Sequence, residues 1–164
     1  MRSEILDSIM IFTSRIGNGG IVWILIALFF TATKKYRIEG IAMIAALAIN
    51  LLITNVILKQ LFARVRPCDI NTAIELLISR PTDYSFPSGH TSSSFAAATV
   101  IFCKDKRMGT LAVILAAAIA FSRLYLYLHY PSDIIGGFAI GIIIGVFARK
   151  GIIMILKKRR VKNK

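Results

Sequence analysis

The chain has little of what marks a small soluble or secreted domain. Its 164 residues include two cysteines, Cys68 and Cys103, too few for a disulfide framework. Neither has metal-site spacing, so both read as inert small apolar residues. Four prolines, no internal repeat and no Gly/Ser-rich linker leave no place to divide the chain into domains. A basic start followed by a small-residue cleavage site is also missing, which excludes a cleavable signal peptide. Acidic residues are scarce: 8 Asp+Glu stand against 21 Lys+Arg, a formal charge of +13. That excess alone would suit a nucleic-acid binder. What the chain has in abundance argues otherwise. Hydrophobic residues make up 56% without glycine, against roughly 45–50% in an average soluble domain with glycine counted. They fall in long runs, so the sequence reads as an integral membrane protein with no nucleic-acid partner.

Crossing the hydrocarbon takes about 20 predominantly apolar residues. Five stretches approach that length: Ile16–Thr33; Ile38–Leu58; Thr91–Cys103, short by itself; Gly109–Leu128; and Ser132–Ala148, continuing toward Leu156. Residues 3–15 place Ile5, Leu6, Ile9, Met10 and Phe12 on one helical face and Glu4, Asp7 and Ser8 on another, the pattern of a helix lying in the interface. The expected fold is an all-α polytopic membrane bundle of about five transmembrane helices plus this N-terminal amphipathic helix. It forms one domain: 1–15 interfacial, 16–156 bundle and 157–164 a basic tail.

Lysine and arginine set the orientation. Lys34, Lys35 and Arg37 join the first two spans, Lys104, Lys106 and Arg107 join the third and fourth, and Lys157, Lys158, Arg159, Arg160, Lys162 and Lys164 follow the fifth. Alternating spans bring all three clusters to one side, which should be cytoplasmic. The long 59–87 connection and the 129–132 turn then face outside. On that division the inner side holds 14 Lys+Arg and 2 Asp+Glu, the outer side 7 and 6. Most of the charge is thus an orientation signal. In the last span Gly137, Gly141 and Gly145 recur every four residues, a spacing that lets helices approach closely, either within the bundle or at a homodimer seam.

Charged groups in or beside spans are costly, which makes them functional candidates. Lys59 and Arg66 in Lys59-Gln-Leu-Phe-Ala-Arg-Val-Arg66-Pro67 would share a face about 10 Å apart if the helix persists. Arg64 would then point elsewhere, and Pro67 would end the segment. Two cations on one face can grip an anionic group, or simply anchor a span to headgroups. Pro87-Ser88-Gly89-His90 opens a helix whose free amide N–H groups suit a phosphate. Gly89 would let the ligand approach, and His90 could exchange a proton with it. In Ser122-Arg123-x5-His129-x3-Asp133, Arg123 sits in an apolar helix and must be paired or solvated. Pro131 places His129 and Asp133 on a turn, where the carboxylate would fix the imidazole tautomer.

In order and spacing these three segments resemble the signature of the type 2 phosphatidic acid phosphatase superfamily. The resemblance implies an all-helical lipid phosphatase needing no metal or cofactor. By that analogy His129 attacks phosphorus and forms a phosphohistidine, Asp133 orients its imidazole, and His90 protonates the leaving oxygen and then activates water. Lys59, Arg66, Arg123, Ser88 and Gly89 would hold the phosphate oxygens. The implied partners are the bilayer and a lipid phosphate. Undecaprenyl diphosphate on the outer leaflet comes first; phosphatidic acid and phosphatidylglycerol phosphate are alternatives. A non-enzymatic lipid-binding or channel protein is the competing class, and a vanadium haloperoxidase a third. Short chain length and the reduced N-terminal segment set this sequence apart from the commonly six-span family.

Overall fold

A computed structural model describes residues 3–162; Met1, Arg2, Asn163 and Lys164, the end of the basic tail among them, lie outside the described residues. Helices α1 (Glu4–Ile16) and α2 (Ile21–Ala32) are joined by a 3-10 turn over Asn18–Gly20. Gly19 and Gly20 there take φ of 59° and 71°, a left-handed conformation that glycine adopts without a steric penalty. The two helices meet at a bend of 48°. Helix α3 (Arg37–Asn50) runs on through a π-helical stretch, Leu51–Leu58, into α4 (Lys59–Phe62). A short α5 (Pro67–Ile70) precedes an irregular segment, followed by α6 (Gly89–Phe102), α7 (Lys106–Tyr125) and α8 (Pro131–Lys162). No strand occurs among the described residues.

The all-helical expectation holds, while the span count changes. Arg37–Ile70, Lys106–Tyr125 and Pro131–Arg159 are long and apolar enough to cross a membrane, and the bent α1–α2 pair qualifies as a fourth only when taken together. The sequence run at 16–33 is therefore split, because the glycine kink leaves α2 with 12 residues. The expected third span is the 14-residue α6, which forms the centre of the bundle. Thr91 to Ala98, Val100 and Ile101 of α6 are all buried, against α8, α7 and α3. Outward faces carry large apolar side chains, among them Leu25, Phe29, Leu52, Leu111, Ile143 and Phe147. A helix apolar both inside and outside belongs in lipid.

Small residues allow this packing. A Cβ on Gly141 would lie 2.5 Å from the Ser92 carbonyl oxygen, on Gly145 2.5 Å from that of Ala96, and on Gly137 2.8 Å from that of Ser88. The glycine row is consumed by α6 of the same chain. The homodimer seam through Gly137, Gly141 and Gly145 is corrected accordingly: that face has no room for a second copy.

The three basic clusters do share one end. Tyr36 stacks on Phe30 at 4.9 Å and donates to Asp105 at 3.2 Å, tying the 33–36 and 103–105 loops together. Arg149 reaches Glu39 at 3.4 Å. The histidines lie at the opposite end.

Candidate active site

Lys59, Arg66 and Arg123, together with both histidines, reach one cavity. It has a volume of about 700 Å³, and its walls include Lys59, Arg66, Gly89, His90, Arg123 and His129. The geometry that brings Lys59 to Arg66 is not a continuous helix. Ala63, at φ 43°, turns the chain left-handed after Phe62 and donates to the Lys59 carbonyl at 2.9 Å. The strand-like stretch that follows folds Arg66 back, so Lys59 and Arg66 bond the two oxygens of a single carboxylate, Asp83. The expected separation along a helical face is replaced by direct convergence. Pro67 likewise starts α5 at its first position, where a missing N–H costs nothing.

Arg66 has almost no exposure and is fixed from every side. Its Nε donates to the Asp83 carbonyl at 2.8 Å, Nη2 to Asp83 Oδ1 at 2.6 Å, and Nη1 to the Leu128 carbonyl at 2.8 Å. The same Nη1 lies 3.1 Å from His129 Nε2. A guanidinium only donates, so Nε2 must carry the lone pair and Nδ1 the proton. Nδ1 accordingly faces Asp133 Oδ2 at 3.4 Å. Burial pushes the His129 imidazole down, and although Asp133 draws it up, Arg66 and Arg123 help hold it at about 4. At neutral pH His129 is a neutral base with its lone pair toward the cavity cations.

Asp133 is fully buried and saturated with donors. Oδ2 accepts from the Ser85 hydroxyl and from Tyr130 N at 2.9 Å, and Oδ1 accepts from Arg64 Nη1 at 2.8 Å. Arg64 also donates to Ser132 at 2.7 Å and lies 4.0 Å over the Tyr130 ring. Pointing away from Lys59 and Arg66, as expected, it nonetheless serves the site by orienting Asp133. Pro131 opens α8, which places His129 on the turn and Asp133 in the first helical turn.

His90, in the first turn of α6, donates from Nε2 to Asn18 Oδ1 at 2.8 Å. Arg123 is buried in α7; its Nη1 bonds the Ser14 hydroxyl, while Nε has no partner among the described residues. A buried cationic donor without an acceptor is costly, and this one lies in the cavity wall. Gly89 lines the cavity, and a Cβ there would stand 2.6 Å from Asn55 Oδ1. Ser88 is brought close in sequence only. Its hydroxyl caps α6 by accepting from Thr91 N and its amide donates to the Asp133 carbonyl at 3.2 Å, so its amide is not free for a ligand. Ser92 and Ser93 bond backbone carbonyls, and Ser94 accepts from Trp23 at 2.9 Å. No group of three His, Cys, Asp or Glu able to hold a metal occurs among the described residues.

Four side chains at the site are not singled out by the sequence, Ser14, Asn18, Asp83 and Ser85, and Arg64 is read there only as pointing away from Lys59 and Arg66. The acid at Asp83, within a connection between two cationic motifs, was the available signal for one of them. The others arrive through tertiary folding.

A polytopic helix bundle with a buried His–Asp pair beneath a cationic cavity defines a membrane-embedded anion site. Its lineage is equally plain. The model of the PAP2 superfamily matches residues 39–155, and the chain belongs to that superfamily. It is 34% identical over 137 residues to an undecaprenyl-diphosphatase of Sulfolobus acidocaldarius, covering 83% of this chain and 66% of the relative. It is likewise 34% identical over 147 residues to undecaprenyl-diphosphatase BcrC of Bacillus subtilis, covering 87% and 73%. The chain thus spans about two thirds to three quarters of these relatives. In fold it is similar to the transmembrane PAP2-type phosphatidylglycerolphosphate phosphatase of Bacillus subtilis, with a TM-score of 0.73 at 24% identity over 92% of this chain and 78% of that one.

Proposed function

We propose that this protein is a metal-independent membrane lipid phosphatase that converts undecaprenyl diphosphate to undecaprenyl phosphate through a phosphohistidine. The observation that carries the reading is His129 Nε2, its lone pair 3.1 Å from Arg66 Nη1 and its opposite nitrogen backed by Asp133. In this reading Nε2 attacks the terminal phosphorus, the P–O bond to the lipid phosphate breaks, and His90 protonates the departing oxygen. Water activated by His90 then cleaves the P–N bond, releasing phosphate and restoring neutral His129. Lys59, Arg66 and Arg123 offset the charge of the transferring phosphoryl group, whose transfer depends mainly on positioning and electrostatics. Asp133 and, behind it, Arg64 hold the imidazole.

The choice of lipid rests on the two undecaprenyl-diphosphatase relatives. An adjoining groove of about 480 Å³, lined by Ile24, Leu28, Ile44, Leu47 and Leu51, leads to Lys59 and His90. It suits an isoprenoid tail held in lipid while its headgroup enters the cavity. By the positive-inside rule the basic end is cytoplasmic and the site opens outside in a cell membrane. Purified protein in detergent, given undecaprenyl diphosphate, phosphatidic acid and phosphatidylglycerol phosphate in parallel, should release phosphate fastest from the first, insensitive to EDTA. No release from any of the three overturns the reading.

A further inference from the structure

The two cations that open the first motif already hold an anion belonging to the protein. Asp83 Oδ2 accepts from Lys59 Nζ and Oδ1 from Arg66 Nη2 at 2.6 Å, so one carboxylate bridges them as two phosphate oxygens would. Asp83 supplies the only carboxylate among the described residues lining the cavity. Its side chain is 54% exposed, whereas those of Lys59 and Arg66 are 6% and 2% exposed. The cations are therefore fixed, and the anion is the partner with room to move. Backbone anchoring points the same way. Arg66 also donates to the carbonyls of Asp83 and Tyr84, at 2.8 and 3.3 Å. Leu76, Leu77 and Ile78 of the same segment pack on Cys68, Leu126 and Leu128. Rotation of the Asp83 side chain would thus free both cations while its backbone stayed in place. Burial draws the Asp83 carboxyl up, but Lys59 and Arg66 outweigh it and hold it at about 2, so the bridge is ionised at any working pH.

We propose that Asp83 is an internal competitor: it occupies the phosphate site at rest and sets an affinity threshold that a dianionic phosphate clears and a phosphodiester does not. The inference rests on the phosphatase reading. Replacing one monoanion by another between the same two cations gains no Coulomb energy, while a dianion gains a full charge. The displaced carboxylate stays nearby and repels whatever replaced it. Bulk phospholipid headgroups are phosphodiesters, so a membrane enzyme without such a competitor would bind the solvent it sits in.

The full chain in detergent tests this with orthophosphate and dimethyl phosphate as soluble probes, read by the concentration that half-maximally raises the thermal unfolding midpoint. Asp83→Asn should bind orthophosphate about tenfold tighter than wild type and bring dimethyl phosphate, which leaves the wild-type midpoint unmoved, into measurable binding; Asp83→Glu, which keeps the charge, should bind both close to wild type. Unaltered or weaker orthophosphate binding in Asp83→Asn, or dimethyl phosphate still without effect on its midpoint, overturns the proposal. If Asp83→Asn unfolds without ligand, the comparison is made as loss of protection on diluting phosphate, with the same expected order. Turnover of undecaprenyl diphosphate by wild type is measured on the same preparation. Its absence counts against the phosphatase reading, while intact turnover without the affinity change counts against Asp83 alone.

Discussion

At the scale of single residues, the site depends on which nitrogen of His129 carries the proton. Arg66 fixes this from one side and Asp133 from the other. Asp133→Asn can present its amide N–H to Nδ1 and favour the wrong tautomer. Phosphate release should fall by roughly 10³–10⁴, by comparison with the same substitution in a catalytic triad, measured as kcat in detergent. Arg64→Ala leaves the tautomer but loosens Asp133, and a smaller loss, on the order of tenfold, is expected, with Arg64→Lys partly restoring the rate. Protonated His129 has no lone pair to attack with, and its imidazole is held at about 4. The acid limb of the kcat/KM profile, where His129 gains its proton, should therefore lie near pH 4. Asp133 pulls the imidazole upward, so Asp133→Asn should move this acid limb to lower pH as it lowers the plateau. A limb near 6.5 in wild type would mean that His129 is not buried and paired as described. The motif residues Lys59, Arg66, His90, Arg123, His129 and Asp133 were legible in the sequence because each places a charged or titratable group at the end of an apolar run. Arg64, Asp83 and Ser85 were not. Their roles follow from the left-handed turn at Ala63 and from an irregular segment whose course no periodicity encodes.

Among the elements, α6 and α8 carry the precision. Ser88 caps α6 while its amide bonds the Asp133 carbonyl, so the His90 helix and the Asp133 helix are joined at the active end, and the glycine row keeps them in contact below. Gly141→Leu would drive a side chain into the Ser92 carbonyl and Phe95. Overpacking of this kind costs about 1–3 kcal/mol, and the thermal midpoint of purified protein should drop with phosphate release reduced in parallel. The apolar runs were legible as helices, yet the number of membrane-length helices was not. Hydropathy cannot distinguish a helix surrounded by lipid from one surrounded by protein, and α6, rich in Ala, Ser and Thr, is the second kind. The reading of residues 3–15 as an amphipathic interfacial helix matches α1, but periodicity alone gives its polar side no docking partner. Asp7 accepts from Tyr125 at 2.5 Å and Ser14 from Arg123, so that side is committed to α7 and to the cavity wall.

For the whole molecule, charge and chemistry separate to opposite ends. Twenty-one basic residues would suggest a polyanion partner, yet the inter-helix contacts collect the 34–37 and 104–107 clusters away from the histidines, and α8 runs on past Arg149 to 157–159 at that same end. Orientation can be read with the native cysteines. Cys103 is exposed at the basic end and Cys68 is buried. In intact cells a membrane-impermeant thiol reagent should label a Ser79→Cys variant at the cavity mouth and leave Cys103 unlabelled until the membrane is opened; the reverse pattern would invert the topology. The central claim, nucleophilic attack by His129 on a lipid phosphate, is tested most directly by rapid acid-free quenching of enzyme mixed with undecaprenyl diphosphate labelled in its terminal phosphate. Wild type should carry an acid-labile, base-stable phosphate on His129, formed and lost within a turnover, and His129→Gln should carry none and release no phosphate. Phosphate release by His129→Gln at a rate near wild type, or label recovered on another residue, would contradict the account.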